Sequence, residues 1–146
     1  MHITRRNARE WAVQMLVWAD QNPPNDRDEF FARFWKEFPF LDDECMSEPG
    51  EVKPQFKDFA EDRVSGVLDN LEEIDEILTP LLKNWDLWRL GAVERATLRM
   101  GIWEMKYTDV PKPVIINEAI DIGNWFAGSK TRNIINAVLD EYAKAN

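Results

Sequence analysis

Three arginines crowd into the beginning of this chain. The segment ITRRNAREWA places Arg5, Arg6 and Arg9 within five positions, although the formal net charge of the protein is −9. Thr4 is a suitable N-cap, and on a helix that begins there the arginines lie three or four residues apart, beside an apolar stripe. The positive end of a helix dipole disfavours cations, so arginines at this position do not serve the stability of the helix. A binding site for an anion such as phosphate explains them better, because the backbone N–H groups at a helix start also attract anions.

A second basic cluster near the carboxyl end has the same unfavourable position. Ser129 is predicted to cap the last helix, and Lys130 and Arg132 follow it in the first turn. Each cluster alone is equally consistent with solvated surface charge. Their repetition favours an anion site, on the condition that the two helix starts lie close together in space.

Residues for catalysis or metal binding are scarce. His2 is the only histidine and Cys45 the only cysteine, so neither a nucleophile–histidine pair nor a zinc shell is expected. A phosphate-binding glycine motif is also absent. One group of carboxylates fits the solvated polar face of a helix better than acid–base catalysis. It comprises Glu72, Glu73, Asp75 and Glu76. The sequence therefore predicts no enzyme activity, no metal and no cofactor.

Length and composition indicate a globular protein that forms one domain over residues 1–146, with 45% hydrophobic residues to build its core. No apolar run approaches the roughly 20 residues of a membrane span, and the amino end lacks the hydrophobic stretch of a secretion signal. The single cysteine suits a reducing compartment. These features predict a cytoplasmic protein without membrane contact. An isoelectric point near 4.7 restricts any contact with nucleic acid to a local site.

Apolar residues recur at helical spacing through almost the whole chain, which predicts an all-α fold without an appreciable sheet. The first helix is predicted to end near Asn22, and Asp26 to cap the second. The acidic segment 39–54 contains a Pro-Gly pair and is predicted to be a loop. A long helical pattern follows, and it is predicted to divide near Asn70 and to bend or end at Pro80.

The carboxyl-terminal half shows the same helical pattern. Residues 109–113 contain two prolines and predict a rigid connector, and Gly128 is predicted to end the following helix. Most of the seven tryptophans fall on apolar stripes and are predicted to lie in the core, Trp125 among them. Trp85 and Trp88 do not fit such a stripe, so partial exposure is expected for both.

Four segments in this order resemble blocks of the NusB family. They read RRNAREWAVQML, VERATLRMGIWEM, DVPKPVIINEAIDI and NIINAVLDE. The resemblance covers nearly the whole chain and implies about seven helices in two packed helical bundles. It also implies a transcription antitermination factor in ribosomal RNA synthesis. Such a factor binds boxA-type single-stranded RNA with a small-subunit ribosomal protein in the NusE role, and joins an antitermination complex on RNA polymerase.

The resemblance assigns roles to particular positions and leaves a monomer or a homodimer open. The implied RNA-binding residues are Arg5, Arg6, Arg9, Lys130, Thr131, Arg132 and Asn133. Glu94 matches an acidic position that contacts the ribosomal partner. Val17 and Ile134 stand where aromatic residues are frequent in the family, and aromatic side chains stack on bases. The alternative is therefore a protein-binding helical adaptor of the same fold with weak or lost RNA binding.

Overall fold

The computed structural model describes residues 4–37 and 52–146, and every regular element in these ranges is helical. Seven α-helices are present there, which confirms the predicted all-α fold. They are α1 (Arg5–Gln21), α2 (Arg27–Glu37), α3 (Pro54–Asp69), α4 (Leu71–Leu81), α5 (Ala92–Tyr107), α6 (Lys112–Ala127) and α7 (Thr131–Ala145). A short 3₁₀ turn, Leu87–Arg89, lies between α4 and α5. None of the helices in the described ranges is long and apolar enough to cross a membrane.

The chain divides into two compact units, Met1–Val64 and Ser65–Asn146, here called the amino-terminal and carboxyl-terminal units, and the boundary falls within α3. Two helical units agree with the two bundles that the family resemblance implied. That they form one domain over residues 1–146 stays a prediction. Most of the predicted acidic loop lies outside the described residues, and Pro54, its last position, is the first residue of α3.

Aromatic packing forms the core of the amino-terminal unit. The rings of Trp11 on α1 and Trp35 on α2 meet edge to face with centroids 5.5 Å apart, and Trp18 on α1 packs against Phe34 on α2 in the same way at 5.7 Å. The indole N–H of Trp35 also donates a hydrogen bond of 2.7 Å to the Glu61 carboxylate on α3. Burial raises the pKa of Glu61, although the hydrogen bond from Trp35 opposes that change. Edge-to-face aromatic pairs thus join α1 to α2.

Helix α5 lies at the centre of the carboxyl-terminal unit. Its residues 95–102 are all buried, and it contacts α4, α6 and α7. Helices α6 and α7 also pack closely against each other. A Cβ atom at Gly123 on α6 would collide with the side chain of Ile135 on α7, so the glycine lets the two helices approach.

Several helix boundaries follow the sequence prediction. The Asp26 carboxylate accepts a hydrogen bond of 3.1 Å from the backbone N–H of Glu29 at the start of α2, and α3 gives way to α4 at Asn70. The predicted connector over residues 109–113 is too long, because α6 begins at Lys112. Pro113 fits within that first turn, since helix N-terminal residues have no intrahelical partner for their N–H groups.

Candidate nucleic-acid interface

The start of α1 satisfies its own backbone groups. The Thr4 hydroxyl accepts a hydrogen bond from the backbone N–H of Asn7, and the Asn7 side-chain oxygen accepts one of 2.9 Å from the backbone N–H of Thr4. Thr4 is therefore the N-cap, as predicted, and the two residues form a reciprocal capping box. The backbone N–H groups of Thr4 and Asn7 are therefore already hydrogen-bonded within the chain before any ligand approaches.

The arginines of α1 gather around an aromatic ring. The guanidinium carbon of Arg9 lies 5.1 Å from the centroid of Phe59 on α3, and that of Arg5 lies 5.8 Å from it. Arg63, which was not predicted from the sequence, lies 3.4 Å from the same centroid. A ring face attracts cations, so Phe59 offsets part of the repulsion among the guanidinium groups. The sequence signal for Arg63 is a charged residue at a core-facing position, four residues after Phe59 on a helix.

Burial distinguishes the arginines of this cluster. Only 4% of Arg9 and 6% of Arg63 is accessible to solvent, whereas Arg6 is half-buried and Arg5 is exposed. The structure thus brings Arg5 and Arg9 to the same ring. Arg5 is the arginine of the α1 start whose charge is most accessible to a large ligand.

The start of α7 is built differently from the prediction. Lys130 occupies the N-cap position, without a side-chain cap, so the prediction that Ser129 caps this helix is wrong. The reason lies in the connection before it. Gly128 ends α6 with a φ of 91°, and the Thr131 hydroxyl donates a hydrogen bond of 3.0 Å to the Gly128 carbonyl. This turn places Lys130, rather than Ser129, directly before the helix.

The side chains at the start of α7 are open to solvent with one exception. Lys130, Arg132 and Asn133 are exposed, whereas Thr131 is buried. Within the part of the chain that the structure describes, neither Lys130 nor Arg132 makes a side-chain hydrogen bond or ion pair. Both charges are therefore available to an external anion. The first turn of α7 also holds no acidic residue that would repel one.

A groove of about 660 Å³ in the carboxyl-terminal unit joins this helix start to Glu94. Lys130 and Asn133 line one part of it, and Glu94 lines another together with the exposed Trp85. Glu94 accepts a hydrogen bond of 3.2 Å from the backbone N–H of Gly91 and so caps α5. The structure therefore brings the acidic position of the implied protein contact to the same groove as two of the implied RNA contacts.

The carboxylates of α4, predicted to be solvated, are in part engaged in ion pairs. Asp75 accepts two hydrogen bonds of 2.9 Å from the guanidinium of Arg99, and Glu73 pairs with Lys106. Arg99 lies over the exposed ring of Trp88 at 5.2 Å. Asp75 thus orients a cation beneath an aromatic ring, which is a structural task. In the described ranges, no group of three or more His, Cys, Asp or Glu side chains could hold a metal ion.

The tryptophans divide between the core and the surface. Trp85 and Trp88 are exposed, which confirms their predicted position outside the apolar stripes. The predicted burial of Trp125 is wrong, since 71% of this residue is accessible to solvent. The core-facing side of α6 runs through Ile115, Ala119 and Ile122, and Trp125 in the last turn lies beyond it.

Comparison with known proteins identifies the family of this chain. The NusB family profile matches residues 6–144, a range that begins within α1 and ends within α7. The chain belongs to the NusB family, which confirms the resemblance noted in the sequence.

The relatives are similar over almost their whole length. Transcription antitermination protein NusB of Syntrophotalea carbinolica is 37% identical over 146 residues, which cover 96% of this chain and 92% of that protein. The protein of the same name from Helicobacter hepaticus is 42% identical over 144 residues, with 98% and 83% covered. Among solved structures, a chain in the crystal structure of antitermination factors NusB and NusE in complex with dsRNA matches with a TM-score of 0.76. It is 26% identical, and 97% of each chain is covered.

Proposed function

We propose that this chain is an RNA-binding transcription antitermination factor. It binds boxA-type RNA together with a small-subunit ribosomal protein in the NusE role, and supports ribosomal RNA transcription within an RNA polymerase antitermination complex. The observation that carries this proposal is the match over 97% of both chains to a structure in which NusB and NusE are bound to dsRNA. Relatives called transcription antitermination protein NusB, 37% and 42% identical, support the same function.

In this proposal, the exposed residues at the start of α7 make the main RNA contacts. Lys130 and Arg132 neutralise phosphates, and Asn133 offers an amide for hydrogen bonding. Thr131 acts from beneath them, because its buried hydroxyl fixes the turn that presents Lys130. The support for these roles is the exposure of the two cations and their lack of ion pairs within the described residues.

The arginines of α1 contribute unequally. Arg5 is exposed and contacts RNA directly, with the half-buried Arg6 beside it. Arg9 adds positive potential from a buried position over the Phe59 ring. A charge in such a position is less screened by salt than one on the surface, yet it cannot approach a phosphate as closely as Arg5 does.

The ribosomal partner is proposed to bind at the groove that contains Glu94. An acidic protein with a net charge of −9 is electrostatically suited to a basic partner, and Glu94 is an acidic group on that surface. A partner that carries positive charge also reduces the repulsion between this acidic chain and RNA. The two ligands should therefore bind cooperatively, and the coupling must be reciprocal.

A second candidate function is a protein-binding adaptor with weak or lost RNA binding. The observation that favours it is the burial of Arg9 together with the capped start of α1, which leaves this cluster less open to phosphate than the sequence suggests. Titration of labelled boxA-type RNA, followed by fluorescence anisotropy with and without the ribosomal partner, separates the two functions. Weak binding alone and clearly tighter binding with the partner supports the antitermination factor. Partner binding without RNA binding under either condition supports the adaptor.

A further inference from the structure

Two aromatic side chains lie exposed on the last turn of α6, just before the start of α7. Trp125 is 71% accessible to solvent and Phe126 is 36% accessible. Only residues 128–130 separate α6 from α7, so both aromatics lie close in sequence to Lys130. Large exposed aromatic surface is costly in water and commonly marks a binding site.

The Trp125 ring differs from that of Trp88, another exposed tryptophan. Arg95 and Arg99 lie over the Trp88 ring at 5.0 Å and 5.2 Å, so one of its faces is occupied. Within the described residues, Trp125 makes no ring, cation or side-chain hydrogen-bond contact. Its ring is therefore available to a planar ligand.

The charge around Trp125 favours a polyanion. The chain contains 27 Asp and Glu residues among 146, yet residues 122–139 contain none, and no other acid-free stretch is as long. This stretch holds Trp125, Phe126, Lys130 and Arg132, so its net charge is positive. Trp85 is also exposed, but it lies in a groove that Glu94 and Glu141 line as well. Lys83, Arg89 and Lys130 line that groove too, so its charge is mixed, whereas the stretch that holds Trp125 carries positive charge alone.

We propose that Trp125 stacks on a base of single-stranded RNA whose neighbouring phosphates are bound by Lys130 and Arg132. This inference rests on the proposed function and adds to it the contact that holds a base rather than the backbone. Stacking needs an accessible aromatic face, and single-stranded RNA combines exposed base faces with a charged backbone. A basic stretch with an aromatic platform suits that ligand better than a basic protein partner, which the same cations would repel.

The test compares Trp125→Ala with Trp125→Phe and with the control Trp88→Ala, an exposed tryptophan outside the groove that contains Glu94. Each variant is titrated with labelled single-stranded boxA-type RNA in the presence of the ribosomal partner, at several salt concentrations. Trp125→Ala should weaken RNA binding about 10-fold or more, since one stacked base contributes roughly that much. The salt dependence should keep its slope, because no phosphate contact is removed. Trp125→Phe keeps a ring and should bind within about 3-fold of the unchanged protein.

A second series uses RNAs with a single abasic nucleotide. One abasic position should weaken binding to the unchanged protein and have little further effect on Trp125→Ala, because both changes remove the same stacked pair. Circular dichroism and the urea unfolding midpoint should be the same in both Trp125 variants as in the unchanged protein, since Trp125 is exposed. The control Trp88→Ala should leave RNA affinity nearly unchanged.

Each contrary outcome has a distinct meaning. RNA affinity of Trp125→Ala equal to that of the unchanged protein, which itself binds RNA, overturns the stacking inference and leaves the proposed function intact. Weaker binding of the ribosomal partner to Trp125→Ala in the absence of RNA overturns it in favour of a protein contact. Loss of self-association in the same variant overturns it in favour of a homodimer contact. Failure of the unchanged protein to bind RNA even with the partner overturns the proposed function and the inference with it.

Discussion

The starts of α1 and α7 have similar patterns of charged residues but different structures. Both place cations at the positive end of a helix. At α1, a capping box of Thr4 and Asn7 satisfies the backbone, and Arg9 is buried against the Phe59 ring. At α7, the N-cap Lys130 provides no side-chain cap, and its charge is exposed beside that of Arg132.

This difference shows that a cluster of cations can either stabilise the fold or bind a ligand. A buried guanidinium over an aromatic ring contributes packing and a local positive potential, so its removal affects folding as well as binding. An exposed cation without an ion pair contributes little to folding and is available to bind a ligand. Substitutions at the α1 start should therefore affect stability more than the salt dependence of RNA binding. Substitutions at the α7 start should do the reverse.

The largest expected effect is on stability at the α1 start. Phe59→Ala removes a half-buried ring that three guanidinium groups share, and should lower the free energy of unfolding by about 2 kcal/mol. Urea unfolding measures this loss. The matched change near α7 is Phe126→Ala, which removes a more exposed ring and should cost under about 1 kcal/mol. Equal losses in the two variants would show that the ring does not organise the arginines.

The next effect is on RNA binding at the α7 start. Replacement of both Lys130 and Arg132 by alanine should flatten the slope of log affinity against log salt by about 1.4, at about 0.7 per phosphate contact on single strands. Between 50 mM and 200 mM salt, the unchanged protein should thus lose about 7-fold more affinity than the variant. The free energy of unfolding should change by under about 0.5 kcal/mol per substitution.

Arg9→Ala provides the comparison from the other cluster. It should destabilise the fold and change the slope by less than about 0.7, because the buried guanidinium makes no close phosphate contact. A slope change of about 0.7, the amount expected for one phosphate contact, without loss of stability would contradict the distinction between the two helix starts.

A smaller effect is expected from the caps. Thr4→Ala removes the hydroxyl that accepts from Asn7 and should lower the free energy of unfolding by about 1 kcal/mol. Ser129→Ala should cost under about 0.5 kcal/mol, because Ser129 does not cap α7. Thermal and urea unfolding of both variants measure the difference. A cost at Ser129 that matches the cost at Thr4 would mean that the two starts are capped alike in solution.

The smallest effect on stability is expected at the start of α5, where an acidic residue stands in place of a cation. Glu94→Gln keeps an oxygen that can accept from the Gly91 N–H, so the free energy of unfolding should change by under about 0.5 kcal/mol. The loss of negative charge should nevertheless weaken binding of the basic ribosomal partner, mainly through slower association at low salt. Surface plasmon resonance measures that rate. Unchanged association would leave Glu94 with its capping task alone.

Much of the local structure could be predicted because it depends on neighbouring residues. Thr4 and Asp26 cap the helices that follow them, and Asn70 marks the division between α3 and α4. These features arise from hydrogen bonds and dihedral preferences within a few residues. The prediction that Ser129 caps α7 was wrong. The φ of Gly128 and the hydrogen bond of the Thr131 hydroxyl determine the four-residue turn there.

The sequence by itself determined the helical class, the positions of most helices and the family, since helical periodicity and ordered motifs are properties of the chain. Only the tertiary structure decided which cations are buried and which are available. Arg9 and Arg63 meet Phe59, and Asp75 meets Arg99 on another helix. Periodicity identifies the apolar side of a helix but does not say how far along that helix its neighbour extends. Every side chain in the last turn of α6 is exposed, and Trp125 also lies off the side of the helix that Ile115, Ala119 and Ile122 form.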